Sequence, residues 1–321
     1  KQADWPAAAP YVDALLANIE FFEPTAYEEP GYTNPSSGLS SGMYVYTNGN
    51  VARDVVVYEN SIYAATLGGM VIWSLENGYG IKQTTLQGMQ HISANAVTVC
   101  NMPETRILVG TQRGISVFDP LTKQWLADTY LPQDAAQRNA KITRLLCDQK
   151  NERLLIAANG LGILNLKDGS YQHLTKEDGL TWNDIQDMIV VGQDIWVLSG
   201  YNGLSVIGGG EVLGVNQASG LPDEKVSAIA QAADGTLWVG AMSGLMKFDR
   251  VNWTLYGNDS PAQLSDISEI EIGSDASFWV TTAPFGSGRL CKFDATTRTC
   301  SVARVSSWMP RMRSGKKVGS W

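Results

Sequence analysis

The sequence predicts an all-β protein, a propeller of six four-stranded blades, and three observations carry that prediction. A phrase recurs six times: a short apolar run, a turn, a second apolar run, a small residue, then Gly followed by an aliphatic. Its clearest copies are KVSAIAQAADGTLWVGAMSGLMKF (225–248) and DIQDMIVVGQDIWVLSGYNGLSVI (184–207). Anchored on Gly69, Gly114, Gly160, Gly203, Gly244 and Gly288, the copies step by 45, 46, 43, 41 and 44 residues, the period of a propeller blade. Within each copy the apolar runs are short and bounded by turn residues, as strands require.

The elements follow in order. Residues 1–42 hold five of the 12 prolines and no copy of the repeat. In YVDALLANIEFF, Val12, Leu15, Leu16, Ile19 and Phe22 fall at helical spacing with Pro10 near the start, so one short amphipathic helix is expected, followed by a Pro-rich strap. Residues 43–305 form the propeller. Each repeat reads as an inner strand such as 226–230, a strong second strand such as 236–240, a third after the Gly–aliphatic pair such as 245–248, and a weak fourth such as 253–256.

Asp joins third to fourth strand in FDPLTK, FDRVN, FDATT and KDG, where its carboxylate can accept a backbone N–H further round the turn. Trp196, Trp238 and Trp279 recur at one place in the second strand, shared with Tyr63, Leu108 and Leu154. They read as fillers between adjacent blades rather than a sugar-stacking ladder. MYVYTNG (43–49) stands where a preceding repeat would keep its fourth strand, and CSVARV (300–305) supplies the last repeat's own. Six blades are therefore expected, or seven if the two termini together make an incomplete extra blade. Residues 306–321 are a tail or part of such an element.

Charge narrows the partners. Lys and Arg total 24 against 32 Asp and Glu, a formal charge of −8, which disfavours nucleic acid. The basic stretch at 309–321 is read as a solvated end or an incomplete element. No apolar run approaches the ~20 residues of a membrane span. The first residue is Lys1, so the chain is read as processed or excised from a longer protein.

Four cysteines and two histidines offer no zinc spacing, and no metal or cofactor is expected. Cys100 and Cys147 end apolar runs in successive repeats and are read as small buried fillers. Cys291 and Cys300 flank KFDATTRT and are a candidate disulfide. A two-residue turn would set them opposite each other, whereas a four-residue loop would shift them to a diagonal that is harder to bridge.

The joints between repeats carry a resemblance. LTKEDGLTWNDIQDM (174–188) and VNQASGLPDEKVSAI (215–229) share x-x-x-G-L-x-x-x-x-[IV] and lead into GQDIWVLSGYNGL and DGTLWVGAMSGL. This resembles the two-component-regulator propeller repeat of bacterial extracytoplasmic sensors, closely in two repeats and loosely in four. The resemblance implies a non-enzymatic sensor or ligand-binding propeller in the periplasm or outside the cell, with a small polar ligand, carbohydrate among the classes. The second propeller, immunoglobulin-like module, membrane span and kinase of the large sensors are not visible in this sequence.

Two other functions stay open. One is a scaffold that binds a partner protein. The other is a lyase or glycan hydrolase, for which no nucleophile elbow, Walker loop or dinucleotide fingerprint is found. His91 and His173 lie in different repeats without clustered acids and read as surface residues. The second-to-third-strand turns and the links between repeats share one face of a propeller. There the candidate ligand-binding residues are Arg113, Asn159, Trp182, Tyr201, Asn202 and Phe285, aromatic faces beside amide and charged groups.

Overall fold

The computed structural model describes residues 51–302, apart from 129, 132–135, 258–263, 274–276, 283–288 and 295. Six four-stranded antiparallel sheets follow one another, each with its strands in chain order. Blade 1 is β1 (Ala52–Tyr58), β2 (Ser61–Thr66), β3 (Gly69–Ser74) and β4 (Gly80–Gln83). Blade 2 is β5 (Ala94–Cys100), β6 (Arg106–Thr111), β7 (Ile115–Asp119) and β8 (Gln124–Leu126). Blade 3 is β9 (Arg144–Asp148), β10 (Arg153–Ala157), β11 (Leu161–Asn165) and β12 (Tyr171–Leu174). Blade 4 is β13 (Asp187–Val191), β14 (Asp194–Leu198), β15 (Leu204–Gly208) and β16 (Glu211–Val215). Blade 5 is β17 (Val226–Gln231), β18 (Leu237–Ala241), β19 (Gly244–Phe248) and β20 (Trp253–Tyr256). Blade 6 is β21 (Ile267–Ile272), β22 (Phe278–Thr282), β23 (Arg289–Asp294) and β24 (Thr299–Val302). Among the described residues, helix is limited to five short 3-10 turns. The expected N-terminal helix, the strap, 43–49 and the basic tail lie outside the described residues.

The anchor glycines have a double cause. Gly160 and Gly244 adopt φ of +114° and +144°, a region side chains disfavour, and an added Cβ would overlap the carbonyl oxygens of Leu174 and Tyr256 respectively. Backbone therefore passes against backbone where the fourth strand leaves the third.

The third-to-fourth turns are closed by a side chain. Asp119 Oδ1 accepts the N–H groups of Leu121 (2.8 Å) and Thr122 (3.1 Å). Asp249 Oδ1 accepts those of Val251 (2.9 Å) and Asn252 (2.7 Å), and Asp294 repeats the pattern with Thr296 and Thr297. In blade 3 Asn165 takes this part, accepting from Lys167, while Asp168 sits one step further on and accepts from Ser170.

Five clusters of buried apolar side chains join the blades in series, from blades 1 and 2 (Tyr63, Met70, Val97, Phe118) to blades 5 and 6 (Trp238, Leu245, Ile270, Phe293). The aromatic slot behaves as a filler. Trp238 is almost fully buried and meets Phe278 and Phe293 of blade 6 edge-on, with ring centroids 4.9 and 5.7 Å away. Leu154 differs from its counterparts. Tyr63, Leu108, Trp196 and Trp238 pack toward the following blade, whereas Leu154 packs back on blade 2 and Leu155 packs forward on blade 4. The cause is the turn. Thr111 and Gly114 enclose two residues, but Ala158 and Gly160 enclose Asn159 alone. One residue fewer reverses which face each side chain takes.

Cys100 and Cys147 are not separate fillers. They are bonded to each other, with Cα atoms 5.4 Å apart, and so join the inner strands of blades 2 and 3. Cys100 ends β5 and Cys147 stands one residue before the end of β9, and alternation turns Cys100 toward blade 3 and Cys147 toward blade 2. Cys291 and Cys300 are bonded across β23 and β24 with Cα atoms 5.6 Å apart. Cys300 pairs with Phe293, not Cys291, so this bridge spans the diagonal.

Candidate functional site

The inner strands β1, β5, β9, β13, β17 and β21 line the axis, and their first residues carry a polar belt. Arg53 donates to Asn95 Oδ1 (2.8 Å), and Asn95 Nδ2 donates to the carbonyl of Ile142 (2.9 Å). Thr143 Oγ1 donates to the carbonyl of Ile185 (2.9 Å), and Ser227 Oγ donates to that of Ile267. One residue further along the strands, Asp54 accepts the N–H of Val97 (2.9 Å) and Asp187 that of Ile229 (3.0 Å), each on the next blade. These carboxylates cap inner-edge backbone groups that no strand pairs.

Arg144 Nε stands 3.7 Å from Asp187. Burial, with a smaller push from Asp187, holds the Asp54 carboxyl up to about 6 against its hydrogen bonds and Arg144. Burial also raises Asp187, which Arg144 and two backbone N–H groups oppose. Glu269 is held up to about 7 by desolvation and then by Asp187, with Asp54 and Glu271 adding to it.

A cavity of about 360 Å³ opens where the links and second-to-third-strand turns of blades 4 and 5 meet the axis. Gln186, Ser227 and Ser268 of the polar belt and Arg144 form one side. The other is Tyr201, Met242, Lys225 and Asp266. Tyr201 is 70% exposed, and Lys225 Nζ lies 3.6 Å from Met242 Sδ.

The backbone beneath is well fixed. The N–H of Gly203 bonds the carbonyl of Glu224 (2.9 Å), and that of Met242 bonds the carbonyl of Lys225 (2.9 Å). Asp223 accepts from the N–H groups of Lys225 and Ser243, both at 2.9 Å. An exposed aromatic face beside an amide, hydroxyls and two cations can stack on a small polar molecule and orient it by hydrogen bonds.

The residues named from the sequence are spread around that face. Tyr201 lines the cavity. Neighbouring Asn202 is half-buried, its N–H bonded to the carbonyl of Ser199 (3.2 Å). Trp182 is exposed on the link into blade 4, where Lys176 Nζ lies 4.4 Å from its ring centre. Asn159 is exposed at φ +48° with its carbonyl 3.1 Å from His173 Nε2, and Arg113 is exposed on blade 2. Neither is among the cavity-lining residues. Phe285 lies outside the described residues. His91 Nδ1 accepts the N–H of Ser93 (3.1 Å). Gln186, Lys225, Ser227, Asp266 and Ser268 were not singled out by sequence, although their place at inner-strand starts and link ends is the signal that could have found them.

Residues 135–284 match a family described as a domain of unknown function (DUF5074). No curated protein matches the chain. Among solved structures, the extracellular domain described as that of a hybrid two-component system of B. thetaiotaomicron is 20% identical with a TM-score of 0.61. The match covers 81% of this chain and 35% of that one. The likeness is one of fold. The same fold is met in the WD40 propeller domain of Doa1 (15% identity, TM-score 0.56, 78% and 81% of the two chains). It is met again in the computationally designed Ika8 protein (12%, 0.52, 80% and 87%). The resemblance read from the joints between repeats thus extends to three-dimensional structure, over about a third of the length of that extracellular domain.

Proposed function

We propose that this protein is a non-enzymatic, extracytoplasmic recognition propeller that binds a small polar ligand, of the carbohydrate class, in the cavity at the axial mouth of blades 4 and 5. The observation that carries the reading is Tyr201, a 70% exposed ring beside Gln186, Lys225 and the belt hydroxyls. An exposed aromatic with no packing duty is suited to stacking on a sugar face. Two disulfides support an oxidising compartment, and so does the extracellular setting of the B. thetaiotaomicron structure. No helix among the described residues is long and apolar enough to cross a membrane. Trp182 and its Lys176 partner form a second platform on the same face, suited to a longer ligand.

The test is a panel of neutral and acidic oligosaccharides screened by calorimetry against the intact protein and its Tyr201→Ala and Gln186→Ala variants. A binder from the panel should lose about tenfold or more in affinity with Tyr201→Ala, equivalent to ~1.4 kcal/mol. Binding untouched by both substitutions would move the site elsewhere. Absence of any binder would favour a protein partner instead.

A further inference from the structure

The cavity at blades 4 and 5 holds two charges of opposite sign that the fold leaves without a partner. Arg144, Lys225 and Asp266 line it, and Asp223 lies behind Lys225. Arg144 is committed, with its Nε 3.7 Å from Asp187 and Nη1 donating to the carbonyl of Thr143 (3.3 Å). Asp187 and Glu269 both act on Arg144, and neither lines the cavity. Asp223 is committed as well, because Oδ1 accepts the N–H of Lys225 and Oδ2 that of Ser243. Lys225 and Asp266 are different. Among the described residues neither forms an ion pair, and Lys225 Nζ rests 3.6 Å from Met242 Sδ, a weak acceptor.

The backbone fixes where these two charges stand. The N–H of Met242 bonds the carbonyl of Lys225 (2.9 Å), and the carbonyl of Met242 accepts the N–H of Asp266 (2.8 Å). The second-to-third-strand turn of blade 5 therefore runs between the link that carries Lys225 and the link that carries Asp266. Two hydrogen-bonded steps of about 5 Å set those backbones ~10 Å apart. The cation stands on one flank of Met242 and the anion on the other.

This arrangement discriminates by charge. A neutral ligand filling the cavity takes water from both groups and gives neither a partner, which costs free energy. A ligand with one charge satisfies one group and strands the other. A ligand with both charges satisfies both while its ring lies on exposed Tyr201.

We infer that the ligand of this cavity is a saccharide bearing both a free amine and a carboxylate, an amino sugar acid. Its carboxylate meets Lys225 and its ammonium meets Asp266. The inference rests on the saccharide reading proposed above and adds the charge pattern that the site selects.

Calorimetry on the intact protein at pH 7 with four probes tests it. Muramic acid carries the amine and the carboxylate, N-acetylmuramic acid has lost the basic amine, glucosamine lacks the carboxylate, and glucose lacks both. Muramic acid should bind about tenfold or more tighter than either singly charged probe, the scale of one charge-assisted hydrogen bond. Asp266→Asn should bring muramic acid and N-acetylmuramic acid to equal affinity, and Asn tolerates the left-handed φ of +49° at that position. Lys225→Gln should bring muramic acid and glucosamine to equal affinity. Muramic acid binding no tighter than another probe, with binding still lost in Tyr201→Ala, would leave the saccharide site standing and overturn the charge assignment. So would a preference for muramic acid that survives either charge-removing substitution. No binding of any probe, or binding untouched by Tyr201→Ala, would overturn the saccharide reading and this inference with it.

Discussion

Gly244 and Gly169 separate two reasons for keeping a glycine. Both have positive φ (+144° and +74°), but a Cβ on Gly244 would meet the Tyr256 carbonyl, while one on Gly169 would meet nothing within 4 Å. Gly244→Ala should therefore cost about 2–4 kcal/mol in urea unfolding, in the range where strain and steric conflict combine. Gly169→Ala should cost only the left-handed penalty of about 1–2 kcal/mol. Equal losses would mean that the turn, not the crossing of two backbones, fixes the repeat glycine.

Asp54 makes a pH prediction with a definite sign. Its carboxyl is raised from 3.8 to about 6, so between those values the folded protein holds more protons than the unfolded chain. The stability it contributes is fully present below about pH 4 and lost as pH rises through 6. Asn keeps an acceptor for Val97 and cannot ionise. Asp54→Asn should raise stability by about 1–2 kcal/mol at pH 8, allowing for partial solvent screening, and by nothing near pH 4. A gain independent of pH would assign the effect to packing.

At the scale of elements, the sequence was most legible where one residue type has one local duty. The Asp turns, the anchor glycines and the four strands of blade 5 could be read directly, because their partners lie a few residues away. Contacts between blades were harder to read. The one-residue shorter turn at Asn159 turned Leu154 backward, and the sequence alone does not show which pairing register a turn adopts. Cys100 and Cys147 sit at or near the ends of the inner strands of successive repeats, but their bond depends on the facing of two strands that are 47 residues apart. Tyr201 could be named from its turn, whereas Gln186, Lys225 and Asp266 come together only once three blades are placed around the axis.

The two bridges should contribute unequally. In the loop-entropy view, closing 47 residues is worth about 4 kcal/mol and closing nine about 3 kcal/mol. Paired Cys→Ser variants measured by denaturation should keep that order. Intact protein under denaturing, non-reducing conditions should show no free thiol by a thiol-reactive dye. Two free thiols would remove one bridge and weaken the case for an oxidising compartment.

The whole molecule is a series of neighbours. Each buried cluster joins two successive blades, so stability is approximately a sum of blade terms and boundary terms, as in other repeat proteins. The boundary between blades 3 and 4 is a fair place to test this, because Leu155 is fully buried there among Leu161, Ile185 and Val197. Leu155→Ala removes apolar contacts on that boundary alone and should cost about 2–5 kcal/mol. Native-state hydrogen exchange read by peptide should then fall chiefly in β9 to β16, with the strands around the cluster of blades 1 and 2 keeping most of their protection. In a globally cooperative ring, loss at one boundary would lower every protected amide by the same free energy. Uniform loss across all six blades would therefore reject the nearest-neighbour account. Loss confined to blades 3 and 4 would show that a boundary can open without the rest, the property a propeller needs if binding at one mouth is to be felt at a neighbouring blade.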